Sequence, residues 1–206
     1  MRVARALGAM AIVMTAAGCA MHAKPKAMIS REGILTRGET LTYVGVDFSR
    51  TVFYDQYFTF DDVAHGKIPS WNQRPFEDIQ AEFPMPLTAD LAVSEKINKK
   101  VNERAFVTTA PDPAKWALTD TVVHQEIAPY LDKKQSGHAL LIVAEQLSKP
   151  SGVVAHYVVF DRRSGEIVLL DQLSGDAGGF GIHNYYLNGL KDVAKHARKE
   201  IAALVR

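Results

Sequence analysis

Apolar residues gather into three dense runs late in the chain: Ala139 to Ala144, Val153 to Phe160, and Ile167 to Leu170. They are rich in Val, Ile and Leu and are separated by short Gly/Ser/Pro segments, the pattern of strands in a sheet core. Lys149-Pro150-Ser151-Gly152 joins the first two runs. Asp161 to Glu166 joins the second and third, with Gly165 suited to the positive-φ position of a tight hairpin. Connections this short require antiparallel neighbours, so a three-stranded meander is expected. Both faces of these strands are apolar, which calls for cover on each side. A glycine-dense loop, Gly175 to Gly181, follows. After it Tyr186, Leu190, Val193, Ala197, Ile201 and Leu204 recur at helical spacing, with Asn188 as the expected cap of the main part.

Earlier segments are less regular. Tyr43 to Phe48 reads as a first strand, extended by Thr51 to Tyr54. Between Phe60 and Phe83, Gly66, Pro69 and Pro75 suggest one short helix ending before Gly66 and another beginning after Arg74, with Trp71 filling the core. Val93, Ile97 and Val101 define an amphipathic helix capped by Thr88 or Asp90. Val122, Val123, Ile127, Tyr130 and Leu131 define another, capped by Thr119 or Asp120. The expected class is therefore α+β: an antiparallel or mixed sheet packed with helices and closed by a C-terminal helix.

The front of the chain changes the picture. Arg2 and Arg5 precede a short apolar run, Ala6 to Ala17, well below the ~20 residues that span a bilayer, as in an export signal. The run closes in Ala16-Ala17-Gly18-Cys19, and Cys19 is the one cysteine among 206 residues. Small residues directly before that cysteine resemble the lipobox of bacterial lipoproteins. The resemblance implies cleavage before Cys19 and a lipid anchor on it. Ala20, rather than Asp, follows, which resembles an outer-membrane sorting signal with the domain facing the periplasm. Residues 1–18 are thus a signal peptide, 19–40 the acylated cysteine and a tether, and 41–206 one domain. Removing Arg2 and Arg5 leaves 22 of 24 basic residues against 23 acidic ones, a net charge of about −1. That balance, like export itself, argues against nucleic acid as a partner.

Candidate chemistry is sparse. If Asp161 and Glu166 flank the hairpin, His156 faces Asp171, a pair able to orient an imidazole for acid–base work, without a nucleophile to serve. The seven histidines form no metal-ligand spacing, and no cofactor motif occurs. The glycine loop is neither a dinucleotide fingerprint nor a P-loop, and Asp176 would repel a phosphate. Phe180, Tyr185 and Tyr186, beside Gly178 and Gly179, are candidates for an aromatic rim that takes a glycan or peptide, against the simpler reading of core packing.

Three local patterns, Gly45-Val46-Asp47-Phe48-Ser49, Ile68-Pro69-Ser70-Trp71-Asn72 and Gly178-Gly179-Phe180-Gly181-Ile182-His183-Asn184-Tyr185, resemble a group of bacterial lipoproteins. That group more often has Arg before the final Asn-Tyr and Trp after it, so His183 and Tyr186 depart from it. The likeness implies an α/β fold and a lipoprotein address, and no activity. The expected function is a membrane-anchored envelope component that binds a protein or cell-wall partner through the glycine-loop end. The alternative is a small hydrolase using His156 and Asp171.

Overall fold

A computed structural model describes residues 28–29, 35–110, 112 and 117–206. The strands are β1 (Met28–Ile29), β2 (Leu41–Asp47), β3 (Val52–Tyr54), β4 (Leu87–Ala89), β5 (Phe106–Val107), β6 (His138–Ser148), β7 (Gly152–Asp161) and β8 (Ile167–Gly175). The α-helices among the described residues are α1 (Ile68–Ile79), α2 (Ala92–Asn98), α3 (Asp120–Glu126) and α4 (Gly181–Leu204). The class is α+β, with a C-terminal helix. The sheet runs β1-β8-β7-β6-β2-β4, and β3 and β5 continue beside the far half of β6.

β6, β7 and β8 pair antiparallel in sequence order, as their short connections demand. The core pairings on the other side of β6 are parallel, which the hairpin argument did not include. β2 lies parallel to β6 and to β4, and β3 lies parallel to β6 and to β5. Parallel neighbours need a long crossover, and the helical stretch between β2 and β6 supplies it.

One sheet face packs against α1 and α4, burying Leu140, Ile142, Tyr157 and Leu169 against Trp71, Tyr186, Leu190 and Val193. The opposite face buries Leu141, Val158 and Phe160 under Val123, Ile127 and Tyr130. Thr119 caps α3 by accepting from Val122 N at 3.3 Å. No side-chain cap closes α2: Leu91 holds the N-cap position, and Asp90, one residue earlier, receives Arg162 Nη2 at 2.8 Å.

Two helix boundaries differ from expectation. A π-turn at Asp62–Lys67 runs through Gly66 into α1, which begins at Ile68 with Pro69 in its first turn and Pro75 inside. Burial of Ile68, Trp71, Phe76 and Ile79 along one face outweighs the backbone bond that Pro75 removes. α4 begins at Gly181 rather than at Asn188, and Gly189 lies buried within it. There a Cβ would stand 2.6 Å from Val153 Cγ2, so glycine is what lets the helix approach β7.

Some residues of the 19–40 segment expected as a tether pair with the domain. Met28 and Ile29 pair with Leu170 and Leu169 at the sheet edge, and Leu35 bridges Val205 beyond the end of α4. Arg37 N donates to Arg206 O at 3.0 Å. Leu35 and Arg37 thus lie near the C-terminal end of α4. Phe180 sits at the other end of that 24-residue helix, about 36 Å away at 1.5 Å per residue.

Candidate functional site

The hairpin register places the His156–Asp171 pair apart. Phe160 faces Ile167 as expected, but Val159 faces Leu169, so Val168 is an extra residue in a bulge. From there on His156 faces Gln172, and Asp171 faces Tyr157 on the opposite sheet face. One inserted residue exchanges the two faces of a strand. Asp171 Oδ2 accepts from the Tyr157 hydroxyl at 3.4 Å.

His156 is 2% exposed and finds a different carboxylate. Its Nε2 lies 3.1 Å from Glu145 Oε2, and Nε2 carries the hydrogen because a carboxylate only accepts. Gln172 Nε2 and Leu118 N donate to the same oxygen at 2.8 and 3.0 Å. The cluster ties three strands to the segment leading into α3. It satisfies buried polar groups, and none of the clefts described below reaches it.

At the other end of the sheet, the glycine loop builds a surface. Gly175 ends β8 directly against α4, where a Cβ would overlap the Gly189 carbonyl oxygen. Gly179, at φ +113, turns the chain outward, and Phe180 stands 97% exposed as the residue before α4. The Gly178 carbonyl accepts from Asn188 Nδ2 at 2.8 Å, which pins the loop to the helix. Asn184 Nδ2 donates to Phe180 O at 3.2 Å.

Gly179, Phe180 and Tyr185 line a cleft of ≈ 830 Å³, facing Asp55, Tyr57, Lys67 and Lys149. Gly178 holds the loop from behind. Asp55 is buried beside the floor: Oδ2 accepts from the Tyr186 hydroxyl at 2.9 Å and Oδ1 from Tyr57 N at 3.0 Å. Lys149 Nζ sits 4.9 Å from the centre of the Tyr57 ring, and its backbone carbonyl accepts from the Tyr185 hydroxyl at 3.1 Å. Lys67 Nζ donates to Asp62 O at 3.2 Å. Neither lysine has a carboxylate partner among the described residues. His183, on the same wall, stacks on Trp71 and receives the Trp71 indole N–H on its carbonyl. Desolvation, then the charges of Arg74, Lys67 and Lys191, hold its imidazole below the ordinary value. Of these cations Lys67 lines the cleft, and Lys191 is paired with Asp78.

A second cleft, ≈ 560 Å³, opens between α1 and α2 beside Phe60, Ile68, Asn72 and Asn98. Its two buried amides are committed to the bulge in β2. Asn72 Oδ1 accepts from Val46 N at 2.7 Å, and Asn98 bonds Phe48 N and Val46 O at 2.9 and 2.8 Å. That commitment explains them as structure.

Asp55, Tyr57, Lys67 and Lys149 are brought to the cleft from three remote segments. Only the Tyr54-Asp55-Gln56-Tyr57 break after β3 and the turn at Lys149 marked them in the sequence. Cys19 lies outside the described residues. Among the described residues there is no group of three metal-ligating side chains and no helix long and apolar enough to cross a membrane.

No family model matches the chain, and no curated protein does. Among solved structures, a PelC dodecamer from Paraburkholderia phytofirmans aligns over 87% of this chain and 96% of its own, at 13% identity and a TM-score of 0.35. At that TM-score the likeness carries no argument about fold or function.

Proposed function

We propose that this protein is a lipid-anchored, outer-membrane envelope component that binds a partner in the periplasm through the glycine-loop cleft. The observation that carries the reading is Phe180. A phenyl ring 97% exposed, on a loop pinned by Asn188 and beside an aromatic cleft, has no role in this domain's own packing. The hydrolase alternative has lost the pair it rested on, since His156 is sealed against Glu145.

The test is a photo-reactive residue placed at position 180 in cells, with Lys195 on the exposed face of α4 as the control position. The reading expects discrete adducts at 180 and none at 195. Equal labelling, or none at 180, would remove the cleft as the partner site. For the anchor, Cys19→Ala is expected to release the chain from membranes, and continued sedimentation with them would contradict it.

A further inference from the structure

The chemistry of the cleft walls narrows what the partner is. Lys67 and Lys149 present ammonium groups with no carboxylate at ion-pair distance among the described residues, and the carboxylate that lines the cleft with them, Asp55, is bonded to Tyr186 and Tyr57. Desolvation, then the charges of Arg74, Lys67 and Lys191, hold the His183 imidazole below its ordinary value, and Lys67 is the cation among these that lines the cleft. A bound anion would be favoured.

Anion recognition alone does not describe the site. Asp55 stands in the same cleft with both oxygens accepting from protein donors, and a carboxylate has room for further ones. A ligand that brings O–H or N–H donors as well as negative charge can use that remaining capacity. The remaining walls are ring faces and edges: Phe180, Tyr57 at 55% exposure, and Tyr185. These suit a ligand with flat apolar C–H surfaces.

We propose that the cleft binds an acidic polysaccharide, a chain of sugar rings bearing carboxylates; this rests on the reading of the cleft as the partner site. Each unit of such a polymer carries all three features within one ring. The carboxylate pairs with Lys67 or Lys149, hydroxyls donate to Asp55, and the C–H face lies on Tyr57 or Phe180. A volume of ≈ 830 Å³ falls in the ~300–1,000 Å³ range of ligand pockets. An acidic peptide fits less well. Its Asp and Glu carboxylates sit on flexible side chains that bring no rigid C–H ring face to Tyr57 or Phe180. Nor is there a strand edge for its backbone, because the cleft is walled by the loop after β3, the turn at Lys149 and the first turns of α4.

The experiment uses the full chain in detergent and a defined oligogalacturonate as probe, with its carboxyl-reduced form as the neutral control. Binding to the acidic form, weakened by salt, is expected. The reduced form and the Lys67→Gln/Lys149→Gln variant should each bind at least about ten-fold more weakly. Phe180→Ala should also weaken binding, with the melting temperature of every variant unchanged. Competition by purified cell-wall sacculi would place the acidic glycan in the wall, and binding without such competition would make it a free polysaccharide. Equal affinity for the reduced form, wild-type affinity in the double lysine variant, or no binding to either glycan would overturn the proposal. Adducts to an envelope protein at position 180 without glycan binding would overturn it too, and leave the cleft as a partner site. Absence of those adducts would remove the site itself.

Discussion

Tyr186 donates its hydroxyl to Asp55 Oδ2 across 2.9 Å, tying the start of α4 to the loop after β3 beneath the cleft. Tyr186 is fully buried, and its ring packs tilted against Phe58 and edge-on to Trp71 and Tyr185. The bond therefore joins the core to the surface that carries Phe180. Tyr186→Phe keeps the ring and leaves Asp55 one donor short. A loss of about 1–3 kcal/mol in urea unfolding is expected, together with weaker ligand binding. An unchanged unfolding free energy would show that the bond contributes nothing.

The meeting of β8 and α4 rests on two glycines. A Cβ on Gly175 would strike backbone at Gly189, whereas one on Gly189 meets the movable side chain of Val153. Gly175→Ala should therefore destabilise more than Gly189→Ala, with the second costing about 1–3 kcal/mol of overpacking offset in part by better helix propensity. Thermal melts of the two variants compare them directly, and the reverse order would contradict this account of the contact.

Glu145 gathers three donors on one oxygen, from His156, Gln172 and Leu118. Glu145→Gln replaces part of that acceptor with an N–H₂ group facing other donors. A loss of about 1–3 kcal/mol is expected from the unsatisfied groups. Binding at the cleft should be untouched. A loss of cleft binding at full stability would return the His156 cluster to the functional account.

How far the sequence led differs by element. The meander and α4 were legible because their apolar periodicity survives in the fold: Phe160 does face Ile167, and Tyr186, Leu190 and Val193 are buried. The register at His156 was not, because a bulge at Val168 has no signature in a run of four apolar residues. The parallel partners of β6 were hidden by distance, since Tyr43 and Leu140 meet across almost a hundred residues. The cleft was half visible. Gly179, Phe180 and Tyr185 lie close together in the sequence and read as a rim, but Asp55, Lys67 and Lys149 join them only through the fold.

Burial raises the phenols of Tyr43, Tyr130, Tyr157 and Tyr186 well above their usual value of 10.0. The folded chain thus keeps protons that the unfolded chain releases above that value. Protons bound in the native state then exceed those in the unfolded state, so stability falls as pH rises above about 10. Below it these groups leave stability unchanged. Phenolate absorbance should appear late and together with loss of tertiary circular dichroism. Smooth titration of all seven tyrosines near 10 in the folded chain would contradict their burial.

The central claim is that the glycine-loop cleft is covered by a partner where the protein works. Hydroxyl-radical labelling of Phe180 and Tyr57, in intact envelopes and in the isolated chain, tests it most directly. Leu131, 37% exposed beside Gly165 at the opposite end of the sheet, serves as the internal reference. The account predicts that Phe180 and Tyr57 are protected several-fold in envelopes while Leu131 is labelled equally in both. Equal labelling of Phe180 in the two preparations would contradict it.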